Sequence, residues 1–161
     1  MPASTATATD PRAARVAALL PGRVAIDGPD AAGKTTLADA VAALTGVARV
    51  RADDFLAPEH VRRAHPSPEG YYAHAFDLAA LREAVLAHDD VVVDGVFLLR
   101  PELDDLWSAR VFVDVDPDEQ WRRALARDGA DVLARYDTRY RPAYAAYRAA
   151  VRPELRADLV L

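Results

Sequence analysis

The chain has 161 residues, of which 52% are hydrophobic and 28% charged, as is ordinary for a globular protein of one domain. The net charge of −5 argues against a general nucleic-acid binder, and the absence of cysteine excludes disulfides and cysteine-ligated metals. No apolar run approaches the roughly 18–20 residues of a membrane span, and the start lacks the features of a signal peptide. We therefore expect one cytoplasmic domain over residues 11–161 after a disordered tail over 1–10, with no nucleic-acid or membrane partner.

The first half of the chain alternates between helical and strand patterns. Helix starts are indicated by an N-cap residue followed by proline, and helix ends by glycine. Short apolar runs of four residues have the length of buried strands. The predicted elements are, in chain order, a helix over 11–20, a strand over 24–27, a helix over 34–45, a strand over 47–50 and a long loop over 51–70.

The second half continues the alternation. The predicted elements are a helix over 77–87, a strand over 91–93, a short helix over 101–107, a strand over 111–115, a helix over 117–127, a helix over 131–151 interrupted near Pro142, and a last strand over 159–161. Strands that alternate with helices predict an α/β fold in which a parallel sheet is covered by helices on both faces.

Residues 28–35 (GPDAAGKT) match the complete Walker A pattern, with a predicted strand before it and a predicted helix after it. The backbone N–H groups of such a loop, and the N-terminal end of the helix, bind phosphate. The pattern therefore predicts a P-loop that binds ATP with Mg²⁺, and the flanking elements disfavour a chance glycine-rich turn. The candidate nucleotide-binding residues are Gly28, Asp30, Ala31, Ala32, Gly33, Lys34, Thr35 and Thr36.

Lys34 is the only lysine in the chain, although lysine and arginine together number 20. A lysine is a compact point charge that reaches the β- and γ-phosphates, whereas arginine is broad and planar. Thr35 supplies a hydroxyl ligand for Mg²⁺. The position of the lone lysine supports the P-loop and assigns Lys34 a catalytic role.

Acidic residues follow two of the predicted strands. In a parallel sheet the ligand crevice lies at the carboxyl ends of the strands, where Asp53 and Asp54 would lie near the γ-phosphate. We predict that Asp53 is the base that accepts a proton from an attacking hydroxyl, the alternative being a solvated acidic turn. Asp94 is predicted to help hold Mg²⁺, the alternative being a plain turn before Gly95.

Arg123 and Arg127 share one face of the helix predicted over 117–127. They could fold over ATP and stabilise charge on the transferring phosphoryl group. An equally good alternative is a solvated helix face that pairs with nearby acidic residues.

The chain resembles the uridine kinase group, which is related to phosphoribulokinase and nicotinamide riboside kinase. The resemblance rests on residues 26–36 (IDGPDAAGKTT), 53–55 (DDF), 91–99 (VVVDGVFLL) and 111–128 (VFVDVDPDEQWRRALARD). It implies a P-loop NTPase fold with a five-stranded parallel sheet in the order 2-3-1-4-5. It also implies Asp53 as catalytic base, Asp94 near Mg²⁺, and Arg123 and Arg127 in a lid.

The acceptor side departs from the resembling enzymes. Their ribose-binding Asp is replaced by His74, and only residues 88–90 separate the helix from the third strand, where a hairpin usually contacts the base. The candidate acceptor-binding residues are Asp53, Tyr72, His74 and Arg135. We expect an ATP-dependent kinase acting on a hydroxyl of a nucleoside-like small molecule. The alternatives are a kinase for another sugar, vitamin or metabolite, and a non-catalytic nucleotide-binding regulator; the oligomeric state is left open.

Overall fold

A five-stranded parallel sheet forms the centre of the structure, a computed structural model that describes residues 10–161. All but the last residue of the predicted tail over 1–10 lies outside the described residues. The strand order is β2-β3-β1-β4-β5, and every ladder is parallel, which confirms the predicted topology. The strands are β1 (Arg23–Asp27), β2 (Ala48–Arg51), β3 (Val91–Gly95), β4 (Ala109–Phe112) and β5 (Leu159–Val160).

Helices connect the strands. They are α1 (Pro11–Ala17), α2 (Lys34–Thr45), α3 (Glu59–Ala64), α4 (Pro68–His74), α5 (Leu78–Leu86), α6 (Pro117–Asp128), α7 (Ala130–Arg135), α8 (Arg141–Val151) and α9 (Pro153–Arg156). Two 3₁₀ turns, Ala52–Phe55 and Pro101–Leu106, and a π-helical turn, Tyr136–Tyr140, complete the chain. Asp10, Asp77 and Asp116 cap their helices by accepting hydrogen bonds from backbone N–H groups. Among these helices none is both long and apolar enough to cross a lipid bilayer.

The two faces of the sheet bury separate cores. Val24 and Ile26 belong to the core that α1 and α2 cover, whereas Ala25 belongs to the core that α5 and α8 cover. Successive residues of a strand point to opposite faces, and here each face finds an apolar helix to pack against. Helices on both faces of the sheet are thus confirmed.

The prediction of a long loop over 51–70 is wrong, because this stretch holds a 3₁₀ turn, α3 and the start of α4. The Ser67 hydroxyl accepts a hydrogen bond from Gly70 N at 3.0 Å, and Pro68 occupies the first turn of α4. A capping serine followed by proline is typical of a helix start. The many proline and charged residues of this stretch favoured the prediction of a loop instead. The first helix also ends earlier than predicted, at Ala17, and the fourth strand ends at Phe112.

Candidate active site

The Walker A segment forms a tight loop between β1 and α2. Ala31 and Gly33 have positive φ values of 56° and 87°, a backbone shape that turns successive N–H groups toward one centre. Gly28 is buried beneath the loop, where an added Cβ would lie 2.4 Å from the Val113 carbonyl oxygen. A loop of this shape, followed by the N-terminal end of α2, can bind phosphate groups through its backbone.

Lys34 lies under this loop with only 7% of its surface exposed. Its Nζ donates a hydrogen bond to the Pro29 carbonyl oxygen at 2.6 Å, which fixes the ammonium group inside the loop. Burial lowers the pKa of Lys34, and the carboxylates of Asp30 and Asp27 oppose that shift. A partly desolvated ammonium beside a phosphate-binding loop interacts strongly with an incoming polyanion.

A cleft of about 710 Å³ opens over the loop. Of the residues predicted from the sequence, it is lined by Asp30, Ala31, Ala32, Gly33, Lys34, Thr35, Thr36, Asp53, Asp94, Arg123 and Arg127. The same cleft is lined by residues that sequence reasoning did not place there, among them Tyr71, Arg139 and Tyr140. One cavity therefore combines the P-loop with acidic and basic side chains from other elements.

The side chains predicted to hold Mg²⁺ lie side by side. Thr35 Oγ1 donates a hydrogen bond to Asp94 Oδ2 at 2.8 Å. Asp94 Oδ1 lies 3.0 Å from Arg49 Nη2 but makes no hydrogen bond with the described residues. A hydroxyl oxygen and a carboxylate oxygen with spare acceptor capacity, next to a phosphate-binding loop, fit the hard ligands that Mg²⁺ prefers. Arg49, which also pairs with Asp39 at 2.6 Å, orients the Asp94 carboxylate and was not identified from the sequence.

The two acidic residues after β2 differ in position. Asp53 lines the cleft, whereas Asp54 does not. Desolvation at the cleft wall raises the pKa of Asp53, and the nearby Lys34 ammonium opposes the rise. A carboxylate with a raised pKa beside the phosphate site is placed to accept a proton from a bound hydroxyl.

Helix α6 lies over the P-loop. Arg127 Nη2 forms an ion pair with Asp30 Oδ2 at 2.9 Å, and Gln120 Nε2 donates a hydrogen bond to the Asp30 carbonyl oxygen at 2.9 Å. Arg123 pairs with Glu119 at 2.9 Å, and its Nη1 lies 3.9 Å from the position that a Cβ on Gly33 would take. Both arginines combine surface pairing with a position beside the phosphate site, so the two alternatives drawn from the sequence are compatible.

Three residues predicted to bind the acceptor lie outside the cleft. Tyr72 packs under the Arg100 guanidinium, 4.1 Å from the ring centre. The His74 ring stacks on the His65 ring at 3.8 Å, and Arg135 is exposed on α7. The cleft is lined instead by Arg62, Tyr71, Arg139 and Tyr140, in addition to the residues of the P-loop and β-strand ends.

Asp27, at the end of β1, is a buried carboxylate that sequence reasoning missed. Its Oδ1 accepts hydrogen bonds from Gly28 N at 2.6 Å and from the Tyr144 hydroxyl at 3.3 Å. Its Oδ2 accepts from Leu99 N at 3.0 Å and from the Tyr147 hydroxyl at 2.5 Å. Burial raises the pKa of Asp27, while the Tyr147 hydrogen bond opposes that shift. The carboxylate thus ties the start of the P-loop to helix α8.

We expect Asp27→Asn to lower the free energy of unfolding by about 1–3 kcal/mol, because the amide nitrogen would face a backbone N–H that cannot reverse its direction. Tyr147→Phe removes the hydrogen bond of 2.5 Å and should destabilise more than Tyr144→Phe, which removes the one of 3.3 Å. Urea titrations of the three variants measure the difference. Equal stability of Asp27→Asn and the unchanged protein would contradict the network.

The sequence matches no protein-family model and no curated protein. The fold is similar to that of a possible uridine kinase from Bacillus stearothermophilus, with a TM-score of 0.70, 20% identity, and coverage of 93% of this chain and 97% of the other. A proposed fructose transport system kinase from Silicibacter sp. has a TM-score of 0.65 and 22% identity, with coverage of 94% of this chain and 92% of the other. Shikimate kinase from Acinetobacter baumannii has a TM-score of 0.58 and 15% identity, with coverage of 87% of this chain and 82% of the other. The chain therefore shares the fold of these structures, which is the P-loop NTPase fold that the resemblance implied.

Proposed function

We propose that this protein is an ATP- and Mg²⁺-dependent kinase that transfers the γ-phosphate to a hydroxyl group of a small molecule. The observation that carries the proposal is the position of Asp53 in the same cleft as Lys34 and the Thr35–Asp94 pair. The solved structures of similar fold support it, since each is named as a kinase, and two of the names, uridine kinase and shikimate kinase, give a small hydroxylated molecule.

In the proposed reaction the acceptor oxygen attacks the γ-phosphorus, the bond between that phosphorus and the bridging oxygen breaks, and ADP leaves. Asp53 accepts the proton of the acceptor hydroxyl. Lys34, Arg123 and Arg127 stabilise negative charge on the phosphoryl group, and the loop N–H groups position it. Thr35 and Asp94 would hold Mg²⁺, and the bound ion would supply positive charge next to the phosphate oxygens.

The other candidate drawn from the sequence is a nucleotide-binding regulator without an acceptor. A switch of that kind needs no proton acceptor in the cleft, nor space for a second molecule. The raised pKa of Asp53 and the further residues that line the acceptor side favour catalysis. Transfer of the γ-phosphate from radiolabelled ATP to a panel of nucleosides, sugars, sugar acids and vitamins tests the proposal. ATP binding without transfer to any acceptor class would instead support the regulator.

Uridine and cytidine should be poor substrates, or should be accepted with little preference for the base. Tyr72 and His74 lie outside the cleft, and the chain has no hairpin between α5 and β3 to contact a base. Sites that lack hydrogen-bonding groups for a substrate discriminate weakly. Steady-state kcat/KM values for uridine, cytidine, adenosine and ribose measure this. A high kcat/KM for uridine with strong rejection of adenosine would show that other residues recognise the base.

A further inference from the structure

Besides Arg51, an exposed residue at the end of β2, the cleft holds two separate groups of basic side chains. Lys34, Arg123 and Arg127 lie at the P-loop, where the contacts to Pro29, Gly33 and Asp30 described above place them. Arg62 and Arg139 lie on the wall that α3 and the π-helical turn contribute. Lys34, Arg123 and Arg127 are placed beside the P-loop, whereas Arg62 and Arg139 lie on a different wall of the cleft and call for another explanation.

Arg62 and Arg139 are held in place through backbone carbonyl groups. Arg62 Nε donates a hydrogen bond to the Ala57 carbonyl oxygen at 2.8 Å, and its two terminal nitrogens form no hydrogen bond with residues 10–161. Arg139 Nη2 makes long hydrogen bonds to the carbonyl oxygens of Arg62 and His65, at 3.4 and 3.3 Å. These contacts fix the two side chains and still leave donors available to a ligand.

Neither guanidinium has a carboxylate partner within the described part of the chain, where other arginines form fifteen ion pairs with carboxylates. Both side chains are only partly exposed, and Arg139 Nε is buried with no hydrogen-bond partner. The Arg139 guanidinium also lies 5.2 Å from the centre of the Tyr71 ring. Two like charges in a partly desolvated wall are unfavourable until an anion neutralises them.

Arg63, the neighbour of Arg62, is a natural comparison. Its side chain is 78% exposed and pairs with Glu59 at 2.6 Å on the surface of α3. It does not line the cleft. The chain therefore directs one of two adjacent arginines into the cavity and leaves it without an acidic partner there.

We propose that the acceptor is a small hydroxylated anion, whose phosphate or carboxylate group binds Arg62 and Arg139 while its hydroxyl faces Asp53. This inference rests on the proposed kinase function. Arginine binds both kinds of anion through paired N–H donors. Tyr71 and Tyr140, whose ring centres lie 4.9 Å apart, bound the same side of the cleft and limit the size of the acceptor.

The anion site can be tested without knowing the acceptor. The full chain is saturated with Mg²⁺ and the non-hydrolysable analogue AMP-PNP, so that the P-loop is occupied, and is then titrated calorimetrically with inorganic phosphate or with acetate. We expect saturable binding of a second anion, with an affinity about 10–100-fold weaker in Arg62→Gln and Arg139→Gln. Arg63→Gln is the matched control and should bind like the unchanged protein. Thermal melting shows that each variant is folded, and Arg139→Lys tests whether charge alone restores binding.

Kinetics with matched acceptors give an independent test and distinguish phosphate from carboxylate. Ribose is compared with ribose 5-phosphate, and glucose with gluconate, in ATP-dependent transfer. Preference for either anionic member, lost in Arg139→Gln but kept in Arg63→Gln, supports the inference. Equal kcat/KM for neutral and anionic members overturns it while the kinase function stands. No second anion on the AMP-PNP-loaded protein, or a second anion unaffected by both variants, also overturns it. Transfer to no acceptor refutes the kinase proposal instead, and the calorimetric result still decides whether the anion site exists.

Discussion

Lys34→Ala should nearly abolish phosphoryl transfer and leave the fold intact. Lys34 is 7% exposed and its ammonium group is held by the Pro29 carbonyl oxygen, so it needs little reorganisation to stabilise charge on the phosphates. Loss of one such preorganised group typically costs about 3–4 kcal/mol, or roughly 10²–10³ in kcat. Radiolabel transfer from ATP measures the loss. Full activity in a folded Lys34→Ala protein would refute the P-loop assignment.

Lys34→Arg is the control that separates charge from shape. It keeps one positive charge but replaces a compact ammonium by a planar guanidinium, which does not fit the space beneath the loop. We expect its activity to be low as well. Near-normal activity would mean that positive charge alone is sufficient at this position.

The lone lysine allows a direct chemical check of the same site. An acyl-phosphate derivative of ATP transfers its acyl group to an amine near the terminal phosphate. Only Lys34 and the N-terminal amine can react, because the chain has no other lysine. Peptide mass spectrometry should find the label on Lys34, and excess ATP with Mg²⁺ should suppress it. Labelling of Lys34 that ATP does not suppress would argue against nucleotide binding at the loop.

The phosphate side of the cleft could be predicted because its determinants are local. Gly33, Lys34 and Thr35 are adjacent in sequence, and the strand before them and the helix after them fix their geometry. Asp94 was also accessible to prediction, because it lies near the carboxyl end of a buried strand that pairs directly with β1. Parallel pairing brings such ends together without further information.

The acceptor side could not be predicted, because it depends on the rotation of short helices. Successive residues of a helix point about 100° apart at 3.6 residues per turn, so a shift of one position changes which side chain faces a cavity. Tyr71 lines the cleft where Tyr72 was expected, and Arg62 lines it whereas its neighbour Arg63 does not. Because the sequence predicts no helix between residues 51 and 76, no helical periodicity distinguishes one neighbour from the next there.

Asp27 escaped prediction for another reason. In the sequence it ends an apolar strand and precedes Gly28, a context typical of a turn. Its four hydrogen-bond donors come from Gly28, from Leu99 and from two tyrosines of α8. Tyr144 and Tyr147 are 117 and 120 residues away in the sequence. A buried carboxylate is tolerated only when such donors are present, and the residues near Asp27 in the sequence do not indicate where these donors come from.

The second large effect is expected for Asp53→Asn, which should lower kcat far more than it weakens ATP binding. Asparagine has nearly the same shape but cannot accept a proton at neutral pH. Loss of a general base typically costs about 10²–10⁴ in rate. Stopped-flow or single-turnover transfer measures the chemical step, and equilibrium titration with AMP-PNP measures binding separately.

Asp54→Asn is the matched control, because Asp54 follows directly in the same 3₁₀ turn and does not line the cleft. If Asp54→Asn were inactive and Asp53→Asn active, Asp54 rather than Asp53 would be the base.

The pH profile adds an independent test. Since desolvation raises the pKa of Asp53 above its ordinary 3.8, the base is lost to protonation at a higher pH than for an exposed aspartate. The acid limb of kcat should therefore lie above that value in the unchanged protein and in Asp54→Asn. It should disappear in Asp53→Asn, because the residual rate of that variant no longer depends on ionising this carboxyl group.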